Sequence, residues 1–381
     1  MQGYLRLLAL VNVVTLILLL VTSQNGVDRN GFLIGTDFLS FWTTGQMLHS
    51  GTHVYDVAAH IAAQREFFVQ DGAFTAFFYP PSFLPFCYPL GFFPYYPALA
   101  MWLLATGAAY FSVARAWLRE AGISQNAALL FLAYPPVWIT VTHGQTSFLV
   151  AALLGLGALL VPKRPALAGV LFGLATIKPQ FGILVPLVLV MTGEWRVIAA
   201  AGATALLLAL GSALAFSSDV WRDWLEISGA AQSAMDQGQV GYAKMQSTLA
   251  AAMLLGAPAA LAYGLQALVS VSVAATVARA AWGRICSPML AALMLAGAPL
   301  VTPFVLDYDM VLLAFPLIWL ASIGFAPWER IVSLLAFAAP AFARPLAVEL
   351  GLPIMPFMML ALFAVLARRA LQEQSADLHY R

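Results

Sequence analysis

The sequence predicts an all-α polytopic membrane protein, and three observations support this class. Of its 381 residues, 62% are hydrophobic and only 9% are charged, and the mean hydropathy is +0.86. This is more apolar surface than a soluble core of this size can bury. Runs of about 20 apolar residues recur, and such runs cross a bilayer as helices because a helix satisfies its own backbone hydrogen bonds. The runs are also rich in Leu, Ala and Val. We therefore expect about 10 to 12 transmembrane helices.

The apolar runs mark twelve candidate spans along the chain. They cover roughly residues 4–22, 96–118, 126–142, 145–161, 165–178, 180–193, 196–216, 257–281, 286–302, 309–325, 329–343 and 352–368. The first run has Arg6 before it but no small-x-small cleavage site after it, and is interpreted as a retained signal anchor. Spans near Pro135, Pro136, Pro179 and Pro186 are expected to be broken or partial helices. Membranes tolerate such helices where they face protein or a water-filled cavity, so a cavity is implied.

The distribution of charge orients this topology. With the N-terminus in the cytoplasm, twelve of the eighteen Lys and Arg residues fall on the cytoplasmic side and twelve of the seventeen acids on the opposite side. Residues 1–370 then form one transmembrane domain with outer loops at about 23–95 and 217–250, and residues 371–381 form a cytoplasmic tail. Six basic residues depart from the trend and lie on the outer side: Arg29, Arg65, Lys178, Arg222, Lys244 and Arg344.

The two long outer loops carry aromatic and amide side chains. In the first loop, the amphipathic stretch Asp56–Phe68 and the aromatic run at 77–83 predict interfacial helices. The second loop contains aromatic and amide residues suited to sugars: Trp221, Trp224, Gln232, Gln237, Gln239 and Tyr242. Trp and Tyr also populate ordinary interfacial belts, so sugar contact and a belt both remain open.

Several function classes are disfavoured. A net charge of +1 supplies no basic surface for nucleic acid. The two cysteines, Cys87 and Cys286, have no CxxC or Cys/His spacing, which argues against zinc and redox chemistry. There is no Walker A loop and no GxGxxG after a strand, so no nucleotide apparatus is expected. No cofactor is therefore expected.

Four polar elements are predicted to share the outer face, although they are far apart in sequence. They are Asp37, His143-Gly144-Gln145, Lys178-Pro179-Gln180 and Asp307-Tyr308-Asp309. Asp37 is the strongest candidate, because a carboxylate in apolar surroundings at a bilayer boundary is costly unless it is used. The alternative is that it caps an interfacial helix, since Asp is a favoured N-cap residue.

The other three elements also have structural alternatives. His143-Gly144-Gln145 suits either a ligand contact or a tight turn between two apolar helices. Lys178 suits either an anion site or a side chain that snorkels to the interface, but it lies on the acid-rich side beside a proline. The Asp307-x-Asp309 spacing resembles a metal site only weakly, because hard cations need several oxygens, and a polar loop is the more economical interpretation. No metal site is therefore predicted.

An activated acid and a cation in an extracytoplasmic cavity indicate one kind of chemistry. Glycoside hydrolysis uses two carboxylates, one of which protonates a poor leaving group. Transfer from a sugar phosphate needs only a base for the incoming hydroxyl and a cation for the departing phosphate. Outside the cytoplasm, a lipid-linked donor is more plausible than a nucleotide sugar.

An ordered set of short motifs resembles glycosyltransferase family 87, whose members are polytopic GT-C enzymes related to polyprenyl-phosphate-mannose-dependent α-1,2-mannosyltransferases. The resemblance runs from about residue 33 to 320. The motifs are Gly35-Thr36-Asp37-Phe38, the segment 48–56, Tyr79-Pro80-Pro81, Pro89-Leu90, Gly144-Gln145, Gly169 with Gly173, Lys178-Pro179, Thr302-Pro303 and Tyr308-Asp309.

The resemblance implies a GT-C-type bundle and a metal-independent, inverting transfer of a hexose from a polyprenyl phosphate to a hydroxyl of a glycan or glycolipid. Asp37 would be the general base and Lys178 would hold the donor phosphate. The substrate would contact His143, Gln145, Tyr79, Gln180, Tyr308 and Asp309. In related mannosyltransferases the late outer loop has a histidine near the donor phosphate, whereas this chain has Tyr308-Asp309. Mannose is therefore the default sugar, and glucose, arabinose or another pentose stays open.

A secondary transporter is the alternative function, with Asp37 and Lys178 in a substrate cavity. Transporters also use broken helices and acids near the midplane. However, no clear inverted repeat is visible, and the polar residues gather towards one membrane face. The enzyme ranks first, the transporter second, and a scaffold without chemistry third.

Overall fold

The protein is helical throughout the part that its computed structural model describes. Residues 2–24, 26–29, 31–67, 75–124, 126–238, 241–282 and 286–379 are described. Helix accounts for 78% of the described residues, which form isolated β-bridges but no strand. The predicted all-α class is therefore confirmed.

The α-helices are numbered in chain order, and each range is as follows: α1 Gln2–Thr22, α2 Thr36–Ser50, α3 Val57–Gln64, α4 Leu84–Cys87, α5 Tyr95–Glu120, α6 Ala127–Ala133, α7 Pro135–His143, α8 Ser147–Leu160, α9 Pro165–Leu174, α10 Leu184–Thr192, α11 Trp195–Phe216, α12 Asp219–Asp236, α13 Thr248–Leu254, α14 Ala259–Ala281, α15 Pro288–Gly297, α16 Ala314–Ser322, α17 Pro327–Ala338, α18 Pro340–Leu350 and α19 Met355–His379. Short 3₁₀ helices connect several of them, at Arg65–Phe67, Pro81–Phe83, Tyr88–Phe92, Ala175–Ile177, Pro179–Gly182 and Asp307–Leu313.

Five of the described helices, α1, α5, α11, α14 and α19, contain stretches long and apolar enough to cross a membrane. The α17–α18 pair adds a sixth if it counts as one bent span, with an angle of 70° between its helices. Shorter apolar helices occupy 147–160, 165–177, 179–192 and 288–297. The chain is thus a membrane protein with several apolar helices, and the predicted number of 10 to 12 crossings is not reached by the long helices alone.

Prolines explain most of the breaks between the shorter helices. The predicted span 126–142 is two helices, because α6 ends at Ala133 and α7 begins at Pro135. The residue before a proline is disfavoured in the α conformation. Lys178 accordingly leaves the helix, with φ −136° and ψ 71° before Pro179. Pro186, in contrast, lies in the first turn of α10 and is accommodated there without a break.

The first long loop contains more buried structure than its sequence predicts. Helix α2 is absent from the predicted spans, yet Phe38, Leu39 and Phe41 on it are fully buried. The amphipathic stretch forms α3 and the following 3₁₀ turn, and the Asp56 carboxylate caps α3 by accepting hydrogen bonds from the backbone of Ala58 and Ala59. Phe68, the end of that predicted stretch, lies outside the described residues. Placement of this segment in the membrane interface stays a prediction.

The second long loop contains two further helices, α12 and α13. Helix α12 contacts the first loop, since the Trp224 indole N–H donates to the carbonyl of Phe78 at 3.2 Å. After α12, Met245 pairs with Leu306 in an antiparallel bridge and the Gln246 N–H donates to Val305 O at 2.8 Å. The proposed sugar contact of this loop stays a prediction, and Gln239 lies outside the described residues.

Glycines bring α9 and α11 into close contact. A Cβ at Gly169 would lie 2.5 Å from Val197 O, and one at Gly173 would lie 2.7 Å from Ala201 O, so neither position has room for a side chain. Small residues spaced four apart let membrane helices approach in this way. The Gly169 and Gly173 motif thus has a packing role.

We expect Gly173→Ala to destabilise the protein by about 1–3 kcal/mol, because the new methyl group would overlap the backbone of α11. Gly202→Ala is the matched control, since its Cβ would meet nothing within 4 Å. The midpoint of thermal unfolding in detergent checks both variants. Equal midpoints for the two would contradict the close packing of α9 against α11.

Buried His60 connects the backbone of the first loop through hydrogen bonds to both of its ring nitrogens. Its Nε2 lies 2.9 Å from Val54 O and therefore carries the proton, while Nδ1 accepts from the Gln64 amide at 3.2 Å. Gln64 in turn bonds to the backbone of Thr75. Burial lowers the pKa of His60, against smaller opposing effects of the Val54 carbonyl and Asp56.

Because the folded pKa of His60 is depressed, its neutral form stabilises α3 above about pH 6.5 and that stability is lost as the pH falls. We expect faster hydrogen exchange in α3 at pH 5.5 than at pH 7.5, after correction for intrinsic rates. His60→Gln should abolish this pH dependence, because an amide can still donate to Val54 O but does not titrate. An unchanged pH response in that variant would exclude His60 as the cause.

Candidate active site

Two turns bring Asp37 next to the His143-Gly144-Gln145 segment. The backbone N–H of Gly35 donates to Thr142 O at 2.8 Å, which joins the start of α2 to the end of α7. Gly144 ends α7 with φ 67°, and a Cβ there would lie 2.5 Å from the Cβ of Phe38. Glycine is therefore required at 144 both for its conformation and for space. The predicted tight turn at this position is present.

Gln145 lies at the centre of a buried hydrogen-bond network. Its Oε1 accepts from the Thr146 backbone N–H at 2.6 Å and from the Tyr79 hydroxyl at 2.6 Å. Since a backbone N–H can only donate, this contact fixes the orientation of the amide. Its Nε2 then donates to Asp37 Oδ2 at 2.9 Å and to the Tyr308 hydroxyl at 3.1 Å. One amide thus connects four segments of the chain.

Asp37 lies in the first turn of α2 and does not cap it, because Gly35 occupies the cap position and no side-chain cap bond is present. The start of a helix favours a carboxylate, whose charge complements the unpaired N–H groups. Its side chain is half-buried and its Oδ2 faces the Gln145 amide. The acid is therefore held by a neutral donor, which orients it without neutralising its charge.

Lys178 and Asp309 form a buried ion pair beside this network. Lys178 Nζ lies 2.5 Å from Asp309 Oδ1, and the two side chains are only 5% and 3% exposed. Asp309 Oδ1 also accepts from Ser147 Oγ at 2.7 Å, and its Oδ2 accepts from the Leu306 N–H at 3.1 Å. The Lys178 ammonium also lies 5.3 Å from the centre of the Tyr308 ring. The pair therefore anchors the 305–309 segment against the proline break at Lys178.

Asp307 and Arg344 form a second, looser pair beside His143. Arg344 reaches the site from α18, and its Nη1 lies 4.0 Å from Asp307 Oδ2 and 3.3 Å from His143 Nε2. Burial raises the pKa of Asp307, and the positive charge of Arg344 opposes that rise. Lys244 is close enough to Asp37, Asp307 and Arg344 for their charges to affect it.

The structure brings together most of the residues that the sequence singles out. Asp37, Tyr79, His143, Gln145, Lys178, Tyr308 and Asp309 belong to one connected cluster. Gln180 follows Lys178 in a 3₁₀ helix, and no hydrogen bond joins it to the cluster among the described residues. The polar side-chain atoms of Gln145 and His143 form hydrogen bonds with other groups of the protein.

Lys244 and Arg344 are the members of the cluster that the sequence analysis does not select. A signal for them is present, because they and Lys178 are three of the six basic residues on the acid-rich side. Positive charge that departs from the positive-inside trend is a reason to expect an anion nearby.

The acidic residues of the cluster do not assemble into a recognisable metal site. Both carboxylate oxygens of Asp309 already face donors, from Lys178 and Ser147 on one side and Leu306 on the other. Across the described ranges, no three His, Cys, Asp or Glu side chains are grouped so that they could hold a metal ion.

Removing one partner of the buried pair should destabilise the protein by about 3–5 kcal/mol, because the other charge is left unpaired. We therefore expect both Lys178→Met and Asp309→Asn to lower the thermal unfolding midpoint. The double variant should recover much of the loss, because neither charge remains. Additive losses in this double-mutant cycle would show that the two residues do not depend on each other.

The model of Glycosyltransferase family 87 matches residues 77–306, which is more than half of the chain and includes Gln145 and Lys178. Asp37 precedes the matched segment and Arg344 follows it. No curated protein and no solved structure gives a significant match. The family match agrees with the resemblance of the motifs, and the chain belongs to glycosyltransferase family 87.

Proposed function

We propose that this membrane glycosyltransferase moves a hexose, mannose by default, from a polyprenyl phosphate to a hydroxyl group of a glycan or glycolipid. The transfer inverts the anomeric centre and takes place on the extracytoplasmic side. The observation that carries the proposal is the half-buried Asp37 carboxylate, held through one oxygen by Gln145 and close enough to Lys244 for the two charges to interact.

Asp37 acts as the general base in this reaction. It takes the proton of the acceptor hydroxyl as that oxygen bonds to the anomeric carbon of the sugar. The bond between that carbon and the phosphate oxygen breaks at the same time, and its electron pair leaves with the phosphate. A phosphate departs without protonation when cations stabilise its charge, so a second carboxylic acid is not required.

Gln145 is assigned a positioning role rather than sugar binding. Its Nε2 donates to both Asp37 and Tyr308, and its Oε1 accepts from Tyr79 and Thr146. A sugar would have to compete with these protein contacts for the amide. The amide instead fixes the direction of the Asp37 carboxylate, and such fixed geometry is what general-base catalysis needs.

Phosphate binding by Lys178 stays a prediction, and a phosphate would have to compete with Asp309 for the Lys178 ammonium. The Lys178 ammonium is buried and already paired with Asp309, so a donor phosphate at Lys178 would have to share or displace that carboxylate. Lys178 is well placed to stabilise the segment that carries Tyr308 and Asp309. The proposal therefore requires a further cation with free hydrogen-bond donors.

A GT-C-type bundle is the proposed architecture. The five long apolar helices and the bent α17–α18 pair supply up to six crossings. The shorter apolar helices at 147–160, 165–177, 179–192 and 288–297 supply the broken and re-entrant segments that line a cavity in such proteins. On this proposal, the α12 region and the first loop cover the cavity from outside.

Asp37→Asn should reduce turnover by about 10²–10⁴-fold, because the amide cannot accept the proton of the acceptor. Binding of the lipid-linked donor should stay within about twofold of wild type, since the side chain keeps its shape. The assay uses purified protein with a panel of polyprenyl-phosphate sugars and measures both transfer and donor affinity.

Asp219→Asn is the matched control, because Asp219 is an exposed acid on α12 that pairs only loosely with Arg222 at 3.4 Å. It should behave as wild type in both measurements. Wild-type turnover by Asp37→Asn would exclude Asp37 as the base. The same panel identifies the donor sugar.

A further inference from the structure

Arg344 is held so that its guanidinium faces the cluster from a separate helix. Helix α18 packs against α7 and against the 3₁₀ helix Asp307–Leu313. The Arg344 side chain is 27% exposed, whereas Lys178 is 5% exposed. Arg344 is therefore the more accessible of the two cations.

His143 fixes the orientation of this guanidinium. Its Nδ1 lies 2.9 Å from Ile139 O, and because a carbonyl only accepts, this nitrogen carries the proton of the neutral ring. The Nε2 is then an acceptor, and Arg344 Nη1 donates to it at 3.3 Å. His143 thus acts as a positioning residue for Arg344.

The charge of Arg344 is incompletely neutralised. Asp307 Oδ2 lies 4.0 Å from Arg344 Nη1, which is too long for a hydrogen bond. In the Lys178–Asp309 pair the corresponding distance is 2.5 Å. A guanidinium has five N–H donors, and the hydrogen bond to His143 uses one of them. Donors therefore remain for an anion.

Lys244 brings a second positive charge to the same place. The bridge between Met245 and Leu306 fixes the backbone of Lys244 beside the segment that carries Asp307. Partial burial and the charge of Arg344 both lower the pKa of Lys244, so the two cations repel each other. A bound anion would relieve this repulsion.

We propose that Arg344, oriented by His143 and assisted by Lys244, binds the phosphate of the lipid-linked donor. This inference rests on the proposed function. Arginine suits the role because its planar fork binds two phosphate oxygens at once. The phosphate would then lie on the Arg344 side of Tyr308, and the buried Lys178–Asp309 pair would remain intact.

The test compares two probes that differ only in the phosphate: undecaprenyl phosphate and the uncharged alcohol undecaprenol. Their binding to the purified full chain in lipid nanodiscs is measured for wild type and variants. Wild type should prefer the phosphate by about tenfold or more. Arg344→Gln should lose most of this preference. Arg344→Lys should keep part of it, because a point charge replaces the fork.

Three other variants locate the phosphate. Lys244→Gln should weaken the preference by about threefold without changing thermal stability, since Lys244 lies on a turn and its side chain is only partly buried. Arg222→Gln is the matched control, because Arg222 is 69% exposed on α12, and it should bind as wild type does. Lys178→Met together with Asp309→Asn should keep the preference.

The outcomes separate the two proposals. A wild-type protein that does not prefer the phosphate over the alcohol would overturn the polyprenyl-phosphate donor itself. A wild-type preference that survives in both Arg344→Gln and Lys244→Gln, but is lost in the Lys178 and Asp309 double variant, would overturn only the role of Arg344. If Arg344→Gln fails to fold, the preferences of Arg344→Lys and Lys244→Gln decide, and wild-type values in both would reject the inference.

Discussion

The side-chain amide of Gln145 is the interaction on which the rest of the site depends. A carboxylate, two phenol groups and a backbone N–H meet at this one group. Because the Thr146 N–H can only donate, the direction of every other bond to the amide follows from that contact. The network crosses from α2 to the late 305–309 segment, so the geometry of Asp37 depends on residues far away in the sequence. Fully satisfied buried networks of this kind specify one arrangement of the chain.

The two acids of the cluster, Asp309 and Asp37, differ in burial and in their hydrogen-bond partners. Asp309 is buried and accepts hydrogen bonds from the Lys178 ammonium, the Ser147 hydroxyl and the Leu306 backbone N–H. Its charge is therefore compensated by groups of the protein itself. Asp37 is half-buried and receives an amide donor at one oxygen. A carboxylate that remains charged and partly accessible is the one that is suited to accept a proton. The difference in partners, rather than residue type, separates the structural acid from the candidate base.

The sequence was sufficient to predict the helical class and to select the four polar elements that assemble in the structure. Polar residues in an apolar chain are conspicuous, and the distribution of charge predicts that Asp37, Gln145 and Lys178 share one side of the membrane. The partners of these residues could not be predicted, because hydrogen bonds between segments depend on tertiary packing. Contact of Gln145 and His143 with the substrate stays a prediction, and the structure adds the hydrogen bonds that join them to Asp37 and Arg344. Helix α2 was missed because its charged and hydroxyl residues interrupt its hydrophobic run.

Helices α17 and α18 meet at a bend of 70°, and the number of residues between this bend and Arg344 determines the direction of the Arg344 side chain. Arg344 lies four residues after Pro340, about one helical turn beyond the bend. Each inserted or deleted residue in that turn would rotate the guanidinium by about 100° around the axis of α18. It would then point away from His143, into lipid or solvent. The length of this turn, and not only the identity of its residues, therefore sets where Arg344 points, although the turn follows the segment that matches the family model.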